Sequence, residues 1–394
     1  MYKRELTGKL INRMKEKRHF IQVLMGARQT GKTTIVLQAL EELSMTHHYI
    51  SADDPVLFSP EWLRNEWEKV RLMQKQTGDE VIFAIDEVQN IPQWSAMVKQ
   101  LWDEDSRKKT PIKVILTGSS SMLIQSGLQE SMAGRFEVLY CSHWRYKECK
   151  EAFDYSLDDF LFFGGYPGAA TLKNDIDRWV RYIGTSIVEP VISRDILLME
   201  QIRKPALLRS LFTLGAMNSA RELSYYKILG QLMDAGNTVT LAHYLKLLDQ
   251  ARILCGHQKY TETKIKTRQS SPRFMVYDTS LMVWAAGSVR KNFMELPETK
   301  GHLVESAVGA CLLARGIEEG FSVFYWRERE AEVDFVIENR ANALTTIEVK
   351  SGRLKNSAGS MEFIRRYPHA LSLTVGDSNC SLEDFLYGKI PLFK

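Results

Sequence analysis

The sequence predicts an α/β protein of several domains built on a parallel β-sheet. Its 394 residues are enough for about two to four domains with separate cores. Residues 26–33 read G-x-x-x-x-G-K-T and stand between an apolar run at 20–25 and a stretch with helical apolar spacing at 34–43. Two later apolar runs, at 81–85 and 114–116, are each followed by polar residues, and such runs are typical of buried strands of a parallel sheet.

The composition is that of an ordinary globular protein. Charged residues make up 25% and hydrophobic residues 44% of the chain, and the net charge of +4 is too small to indicate a partner. No apolar stretch approaches the ~18 residues of a membrane span, and the basic N-terminus lacks the apolar core of a signal peptide. The five cysteines never form C-x-x-C, which disfavours disulfides and zinc sites. We expect a cytoplasmic protein without membrane contact.

The first strand and helix enclose a phosphate-binding loop. A strand, G-x-x-x-x-G-K-T and a helix in this order are typical of the P-loop, whose backbone N–H groups surround phosphates at a helix N-terminus. We expect Lys32 to contact the β- and γ-phosphates of ATP and the Thr33 hydroxyl to ligate Mg²⁺. The residues predicted to bind the nucleotide are Gly26, Ala27, Arg28, Gln29, Thr30, Gly31, Lys32, Thr33 and Thr34.

Two carboxylates follow the next buried strand. Asp86 and Glu87 come directly after the apolar run at 81–85, at the carboxyl edge where parallel sheets bind ligands. Asp86 would hold Mg²⁺, usually through water, and Glu87 would orient or deprotonate the attacking water. The alternative is that the pair caps a helix.

The strand predicted at 113–118 ends beside three serines. A polar residue here can sense the γ-phosphate, which makes Thr117 or Ser119 a candidate. The alternative is that the serines cap the next helix. Further strands are predicted at 47–51 and 136–141, and a further helix at 61–76.

An ordered set of motifs resembles one family. The set comprises YKREL, GARQTGKTT, IDEVQ, LTGSSS, AGRFEVL and GGYPGA. Over essentially its whole length the chain is similar to prokaryotic AAA-type ATPases, near the signal-transduction branch of P-loop proteins, which carry an uncharacterised C-terminal domain. The resemblance implies ATP binding and hydrolysis. One departure is the segment 142–148, which reads SHWRYKE where many relatives resemble PLSFREF.

Arg135 stands between the helix that follows the serines and the strand at 136–141. In AAA-type ATPases an arginine at this point often reaches the γ-phosphate of a neighbouring subunit, which can be worth about 10³ to 10⁵ in rate. This reading predicts a homo-oligomer. The alternative is a solvated arginine that interacts with the helix dipole.

The ATPase core is predicted to span residues 1–150 and a helical lid residues 151–203. A turn rich in glycine and proline at 164–168 is predicted to be the bend between the core and the small helical lid. Helical spacing resumes at Trp179, and we expect Glu189 and Pro190 to interrupt it.

Residues 204–275 are predicted to form a winged helix. Three short helices at 206–217, 225–233 and 240–251, the last two joined by a glycine turn, suit a helix-turn-helix. A two-stranded wing would follow, and its basic residues would contact DNA phosphates: Lys259, Lys264, Lys266, Arg268 and Arg273. The alternatives are a protein-contact module and a merely solvated basic hairpin.

Residues 276–394 are predicted to form a restriction-endonuclease-like αβββαβ domain. Asp334 lies within one predicted strand, and Glu348 and Lys350 form E-x-K on the next. Asp334 and Glu348 would converge on Mg²⁺ or Mn²⁺, with Glu305 as an outer or additional ligand. Lys350 would orient or help deprotonate a metal-bound water. The alternatives are an exposed polar sheet face and a domain that binds without cutting.

Together these motifs predict a Mg²⁺-dependent ATPase that couples nucleotide state to a winged-helix and nuclease-like module acting on or near DNA. Two alternatives remain open. One is a metal-dependent DNA nuclease regulated by ATP, and the other is a signalling scaffold that holds ATP without hydrolysing it.

Overall fold

The computed structural model describes residues 1–53, 59–118, 128, 132–197, 202–232, 237–261, 271–287, 294–350 and 358–393. They form two compact units, Met1–Cys141 and Ser142–Lys394. None of the helices in these ranges combines the length and apolar character that crossing a bilayer requires.

The first unit is built on a five-stranded parallel sheet, as predicted. Its strands are β1 (Ile21–Gly26), β2 (His47–Ser51), β3 (Val81–Asp86), β4 (Ile112–Gly118) and β5 (Phe136–Cys141). The strand order is β2-β3-β4-β1-β5, and every neighbouring pair is parallel. Strand β3 is buried along its whole length because helices cover both faces of the sheet.

Among the described residues, four helices supply these two covering layers. They are α1 (Glu5–Lys15), α2 (Lys32–Leu43), α3 (Pro60–Thr77) and α4 (Trp94–Lys108). Trp67 of α3 and Trp102 of α4 belong to one apolar cluster with Phe83 of the sheet. Leu10 of α1 and Ile35 of α2 belong to the cluster on the other face. The sheet is therefore the middle layer of three, with its carboxyl edge at the start of α2.

The second unit opens with short helices. They are α5 (Tyr146–Phe153), α6 (Leu157–Phe163), α7 (Pro167–Ala170) and α8 (Ile176–Tyr182). The chain continues helically from α8 through two π-helical segments, Ile183–Val188 and Val191–Ile196.

The prediction that Glu189 and Pro190 interrupt this helix is wrong. Both residues keep right-handed helical angles, with φ −63° and ψ −44° at Glu189 and φ −62° and ψ −37° at Pro190. A π turn bonds each N–H to the carbonyl five residues back, so the hydrogen-bond register shifts and a residue without an N–H is tolerated.

Three helices and a hairpin follow in the predicted places. They are α9 (Pro205–Met217), α10 (Tyr225–Gln231), α11 (Thr238–Gln250), β6 (Leu254–His257) and β7 (Arg273–Val276), with β6 and β7 antiparallel. The turn at 233–236 and the hairpin tip at 262–270, which carries Lys264, Lys266 and Arg268, lie outside the described residues. The winged-helix assignment therefore stays a prediction.

The last part of the unit contains a four-stranded sheet. After α12 (Thr279–Ala286) come α13 (Pro297–Glu319), β8 (Phe321–Glu328), β9 (Ala331–Asn339), β10 (Leu344–Val349), α14 (Ala358–Arg366), β11 (Leu371–Val375) and α15 (Leu382–Tyr387). The strand order is β11-β10-β9-β8, with only β10 and β11 parallel within this described sheet. From α13 to β11 the elements follow the predicted order, while the endonuclease-like fold itself stays a prediction.

Candidate functional site

The loop between β1 and α2 has the backbone of an anion nest. Gln29 and Gly31 adopt left-handed conformations, with φ 57° and φ 92°. Alternation between right- and left-handed residues turns successive N–H groups toward one concavity. At the start of the loop, a Cβ on Gly26 would lie 2.1 Å from the Cys141 carbonyl oxygen on β5. Only glycine fits that close approach of two strands.

The positive end of α2 faces the same loop. Helix α2 begins at Lys32 and has no acidic residue in its first turn. Within this described segment, no side chain caps the first N–H groups of the helix. Lys32 Nζ instead donates to the carbonyl oxygens of Ala27 (2.7 Å) and Gly26 (3.2 Å). Backbone donors, a helix dipole and a buried ammonium group together favour a phosphate group at this place.

The Asp86 carboxylate accepts hydrogen bonds from hydroxyl groups on three different elements. Its Oδ2 accepts from Thr33 Oγ1 (2.7 Å) and Tyr49 Oη (2.9 Å), and its Oδ1 accepts from Thr117 Oγ1. Burial, and then the Asp86 carboxylate, raise the pKa of Tyr49 above its ordinary value. The Thr33 hydroxyl and the Asp86 carboxylate are oxygen donors of the type that Mg²⁺ prefers, so the residues present fit this ion.

Thr117 links the two acidic residues. Its Oγ1 also accepts a hydrogen bond from the Glu87 backbone N–H at 3.2 Å. Strand β4 lies between β1 and β3, and this order brings Thr117 beside Asp86. Ser119, the other candidate at the end of β4, lies outside the described residues.

Glu87 occupies a strained backbone position. Its φ is 52°, a left-handed value that costs a residue with a Cβ about 1 kcal/mol or more and is typical of functional sites. Its side chain makes no capping hydrogen bond to the turn Val88–Asn90, so the capping alternative is not observed in this described turn. Instead, Glu87 Oε2 accepts from Gln89 Nε2.

Sequence reasoning missed Tyr49 and Asp53. Burial first, and then the negative charges of Glu87 and Asp86, raise the pKa of Asp53, whereas Arg28 acts in the opposite direction. Tyr49 lies on β2 and Asp53 follows this strand, which pairs with β3 so that Ser51 lies opposite Asp86. The signal was the acidic turn directly after a predicted strand.

Arg135 lies at the other edge of the sheet. Its backbone carbonyl accepts from Ile21 N at the start of β1 (2.8 Å), whereas the phosphate loop follows the end of that strand. Its guanidinium forms a two-point ion pair with Asp103, with Nε–Oδ1 at 2.8 Å and Nη2–Oδ2 at 2.9 Å. Arg135 therefore does not reach the loop of its own chain, and its action on a neighbouring subunit stays a prediction.

Arg273 was predicted to be an exposed wing cation, and this prediction is wrong. The residue is 5% exposed, and its Nη2 donates to Glu305 Oε1. Its Nη1 donates to the Asp334 backbone carbonyl (3.1 Å), and its Nη2 lies 3.6 Å from Asp334 Oδ1. Burial alone would lower the pKa of Arg273, but Glu305, Asp334 and Glu332 raise it. The hairpin packs inward here with its charges paired, and removing one partner would leave a buried charge without its counterion.

The remaining residues of the predicted metal site also have partners within the protein. Asp334 Oδ2 accepts from Val349 N (2.8 Å), and Glu348 Oε1 accepts from Ser360 N (3.0 Å). Both acids are 8% exposed, so the alternative of an exposed polar sheet face is wrong. Lys350 follows β10, and its backbone N–H donates to Val375 O (2.8 Å).

These contacts do not fit a divalent metal ion. Among the residues that the structure describes, no three His, Cys, Asp or Glu side chains come together in a way that could hold one. A guanidinium contacts Glu305 and Asp334 where the sequence predicted a metal. The metal-binding roles predicted for Glu305, Asp334 and Glu348, and the role of Lys350 beside them, are not supported by this arrangement.

Three family models match successive parts of the chain. Residues 18–150 match an AAA domain, and residues 154–292 and 300–393 match two domains of unknown function, DUF8612 and DUF4143. The AAA-domain match, together with the parallel sheet and its phosphate loop, supports an AAA-type ATPase and hence ATP binding. These matches do not confirm a winged helix or an endonuclease-like domain.

Two relatives cover most of the chain. An uncharacterized protein of Methanocaldococcus jannaschii is 25% identical in an alignment of 339 residues that covers 80% of this chain and 72% of that protein. An uncharacterized protein of Haemophilus influenzae is 21% identical in an alignment of 335 residues that covers 80% of this chain and 79% of that protein.

Two solved structures are similar to part of the chain. The Thermotoga maritima RuvB Holliday junction branch migration motor has a TM-score of 0.35 and 15% identity, over 68% of this chain and 94% of that one. Cdc6p from Pyrobaculum aerophilum has a TM-score of 0.33 and 14% identity, over 64% of this chain and 86% of that one.

Proposed function

We propose that this protein binds ATP with Mg²⁺ at the carboxyl edge of its parallel sheet and hydrolyses it. The observation that carries the proposal is the convergence of Thr33, Asp86 and Thr117. The hydroxyl that would ligate Mg²⁺ lies 2.7 Å from the carboxylate that would hold its water shell. The third residue connects that carboxylate to Glu87.

Each residue then has a distinct task. The loop N–H groups and the start of α2 hold the phosphates, and Lys32 Nζ exchanges its contacts with Gly26 and Ala27 for phosphate oxygens. Thr33 and Asp86 would hold Mg²⁺, which when bound neutralises charge on the transferred phosphoryl group. Glu87 orients the attacking water and accepts its proton.

Thr117 would report the nucleotide state. Its hydroxyl hydrogen bonds to Asp86 and accepts from the Glu87 N–H, so a change at either acid alters the other's hydrogen bond. We propose that hydrolysis is used in this way for conformational switching of the C-terminal half rather than for metabolism. The predicted lid, winged helix and endonuclease-like domain would be the parts that respond, on or near DNA.

Metal-dependent DNA cleavage is the weaker candidate. The Arg273 contacts with Glu305 and Asp334 count against a catalytic metal there, and no step is assigned to one. DNA contact by residues 204–275 is tested separately, by gel-shift titration with salt. Steep loss of affinity as salt rises would support it, and no binding at low salt would exclude it.

The test of the ATPase proposal compares Lys32→Ala and Glu87→Gln by nucleotide binding and phosphate release. We expect Lys32→Ala to lose binding, because the phosphates lose their buried cation. Glu87→Gln should bind normally while phosphate release falls by about 10² to 10⁴, the range of a general base. Matched controls are the exposed Lys75→Ala and Glu41→Gln, which should behave as the native protein.

Two results would decide against the proposal. Normal turnover by Glu87→Gln would remove Glu87 as the base. Tight ATP binding by the native protein with negligible turnover, with and without DNA, would favour the non-hydrolysing scaffold instead. Turnover that DNA stimulates would join the ATPase to the predicted DNA module.

A further inference from the structure

The opening segment of the chain reaches the phosphate loop although it precedes the region matched by the AAA domain, which begins at residue 18. Arg4 stands directly before α1 and is 6% exposed. Its Nη1 donates to the Thr30 carbonyl oxygen and to Cys141 Sγ, both at 3.1 Å. A buried guanidinium thus contacts the backbone of the loop that would hold phosphate.

The bonded carbonyl belongs to the same peptide as the Gly31 N–H. A trans peptide is planar, and its C=O and N–H point in opposite directions. By holding the Thr30 carbonyl, Arg4 directs the Gly31 N–H to the opposite side, toward the concavity of the nest. Thr30 Oγ1, which donates to the Ala27 carbonyl (3.0 Å), steadies the same turn.

The segment that carries Arg4 is anchored on α2. Gln38 Nε2 donates to the Tyr2 carbonyl (3.1 Å), and Lys3 forms an ion pair with Glu42. Helix α1 packs on the same side, and its buried side chains share one apolar cluster with those of α2: Leu10, Ile11, Met14, Ile35, Val36 and Ala39. These contacts therefore fix the position of the Arg4 guanidinium relative to the phosphate loop.

We propose that Arg4 is a positioning residue of the nucleotide site, and that residues 1–15 are an integral part of that site. Arg4 pre-organises the Thr30–Gly31 peptide for phosphate before nucleotide arrives. The inference rests on the proposed ATP binding. It goes beyond it because it assigns a function to a segment that precedes the matched AAA domain.

The test measures MgADP affinity by calorimetry, kcat and KM for ATP, and the melting temperature. In Arg4→Gln we expect the Kd for MgADP and the KM for ATP to rise about tenfold to hundredfold, the range for loss of a charged hydrogen bond. We expect kcat at saturating ATP to change less than about threefold, because Arg4 acts on nucleotide binding and not on the chemical step. Arg4→Lys keeps the charge but replaces the planar guanidinium by a more strongly hydrated ammonium group on a flexible stem, so it should recover part of the affinity.

The matched control is Arg18→Gln. Arg18 also donates to backbone carbonyls, those of Ile112 (2.7 Å) and Trp102 (3.1 Å), but Ile112 begins β4 at the edge remote from the loop. The Arg18→Gln variant should have a lower melting temperature than the native protein but the same affinity for MgADP. If Arg4→Gln does not fold, Arg4→Lys decides by the same measurements.

The outcomes separate the two proposals. A native protein that binds neither MgADP nor ATP would overturn the proposed function and this inference with it. A native protein that binds, together with a folded Arg4 variant of unchanged affinity, would overturn only the role of Arg4. Equal affinity losses in the Arg4 and Arg18 variants, in proportion to their lost stability, would reduce Arg4 to a structural residue.

Discussion

Arg273 and Asp334 are joined twice, once through the Asp334 backbone carbonyl at 3.1 Å and once through its carboxylate at 3.6 Å. The two residues belong to β7 and β9, in different sheets of the second unit. Near them, Tyr260 N donates to the Tyr325 carbonyl of β8 at 2.7 Å. The base of the predicted wing is thus part of the core of this unit rather than a projecting hairpin.

Arg273→Met should destabilise the protein by about 3–5 kcal/mol, because Glu305 and Asp334 would be left buried without their cation. Denaturant unfolding measures this loss. The double variant Arg273→Met with Glu305→Gln should recover part of it, since one unpaired charge is removed. Arg327→Met breaks the exposed pair with Glu222 and should cost less than about 1 kcal/mol. If Arg273→Met and Arg327→Met lost equally little free energy of unfolding, the buried Arg273 pair would contribute no more to stability than the exposed pair.

Asp53→Asn should stabilise the nucleotide-free protein at neutral pH. The pKa of Asp53 is raised above 3.8 by burial and by Glu87 and Asp86, so the folded state binds its proton more tightly than the unfolded state. Its contribution to stability is therefore present below the unfolded pKa and is lost as the pH rises through the folded pKa. Melting temperatures at pH 7 should be higher for Asp53→Asn, and the gain should disappear toward pH 4. The exposed Asp79→Asn is the control, and a lower melting temperature for Asp53→Asn at pH 7 would contradict the repulsion.

The loop and the acidic pair could be predicted because each is a local pattern. Lys32 and Thr33 follow a strand and open a helix, and Asp86 ends a run of apolar residues, so local periodicity is enough to place them. Tyr49 and Asp53 depend on β2 lying beside β3. The strand order β2-β3-β4-β1-β5 is a long-range property that no window of sequence contains.

The errors have the same origin. Arg273 stands in a basic stretch, and only the packing of its hairpin against β9 makes it a buried partner of Asp334. Pro190 follows a local rule for ending helices, and the π turns on both sides of it override that rule. In both cases the local signal was correct as a preference, and tertiary structure decided the outcome.

Arg135→Ala should lower ATP turnover far more than Asp103→Ala does. Both variants remove the same partly exposed ion pair, so each should cost at most about 1 kcal/mol of stability. Only Arg135→Ala removes the guanidinium that would reach a neighbouring active site, and its loss should reduce turnover by about 10³ or more. Phosphate release, measured over a range of protein concentrations, separates the two. Equal turnover in both variants would leave Arg135 with the structural role alone.

His257 should make stability depend on pH below neutrality. Burial lowers its pKa from 6.5 to about 4, and its Nδ1 lies 3.2 Å from the Val323 carbonyl, to which the neutral ring donates. The unfolded state binds the proton more tightly, so this contribution to stability is present above pH 6.5 and is lost as the pH falls to about 4. The difference between these two pKa values corresponds to about 3 kcal/mol.

His257→Gln tests this pH dependence, because glutamine is polar but does not titrate. The free energy of unfolding is measured at about five pH values between 4.5 and 7. As the pH falls, it should decrease less steeply for this variant than for the native protein. His243 on α11 is exposed, and His243→Gln should leave the native slope unchanged. If stability depended on pH equally in the native protein and in His257→Gln, folding would not lower the pKa of His257. The ring would then be protonated in the folded core despite the nearby guanidinium of Arg273, which disfavours its charge.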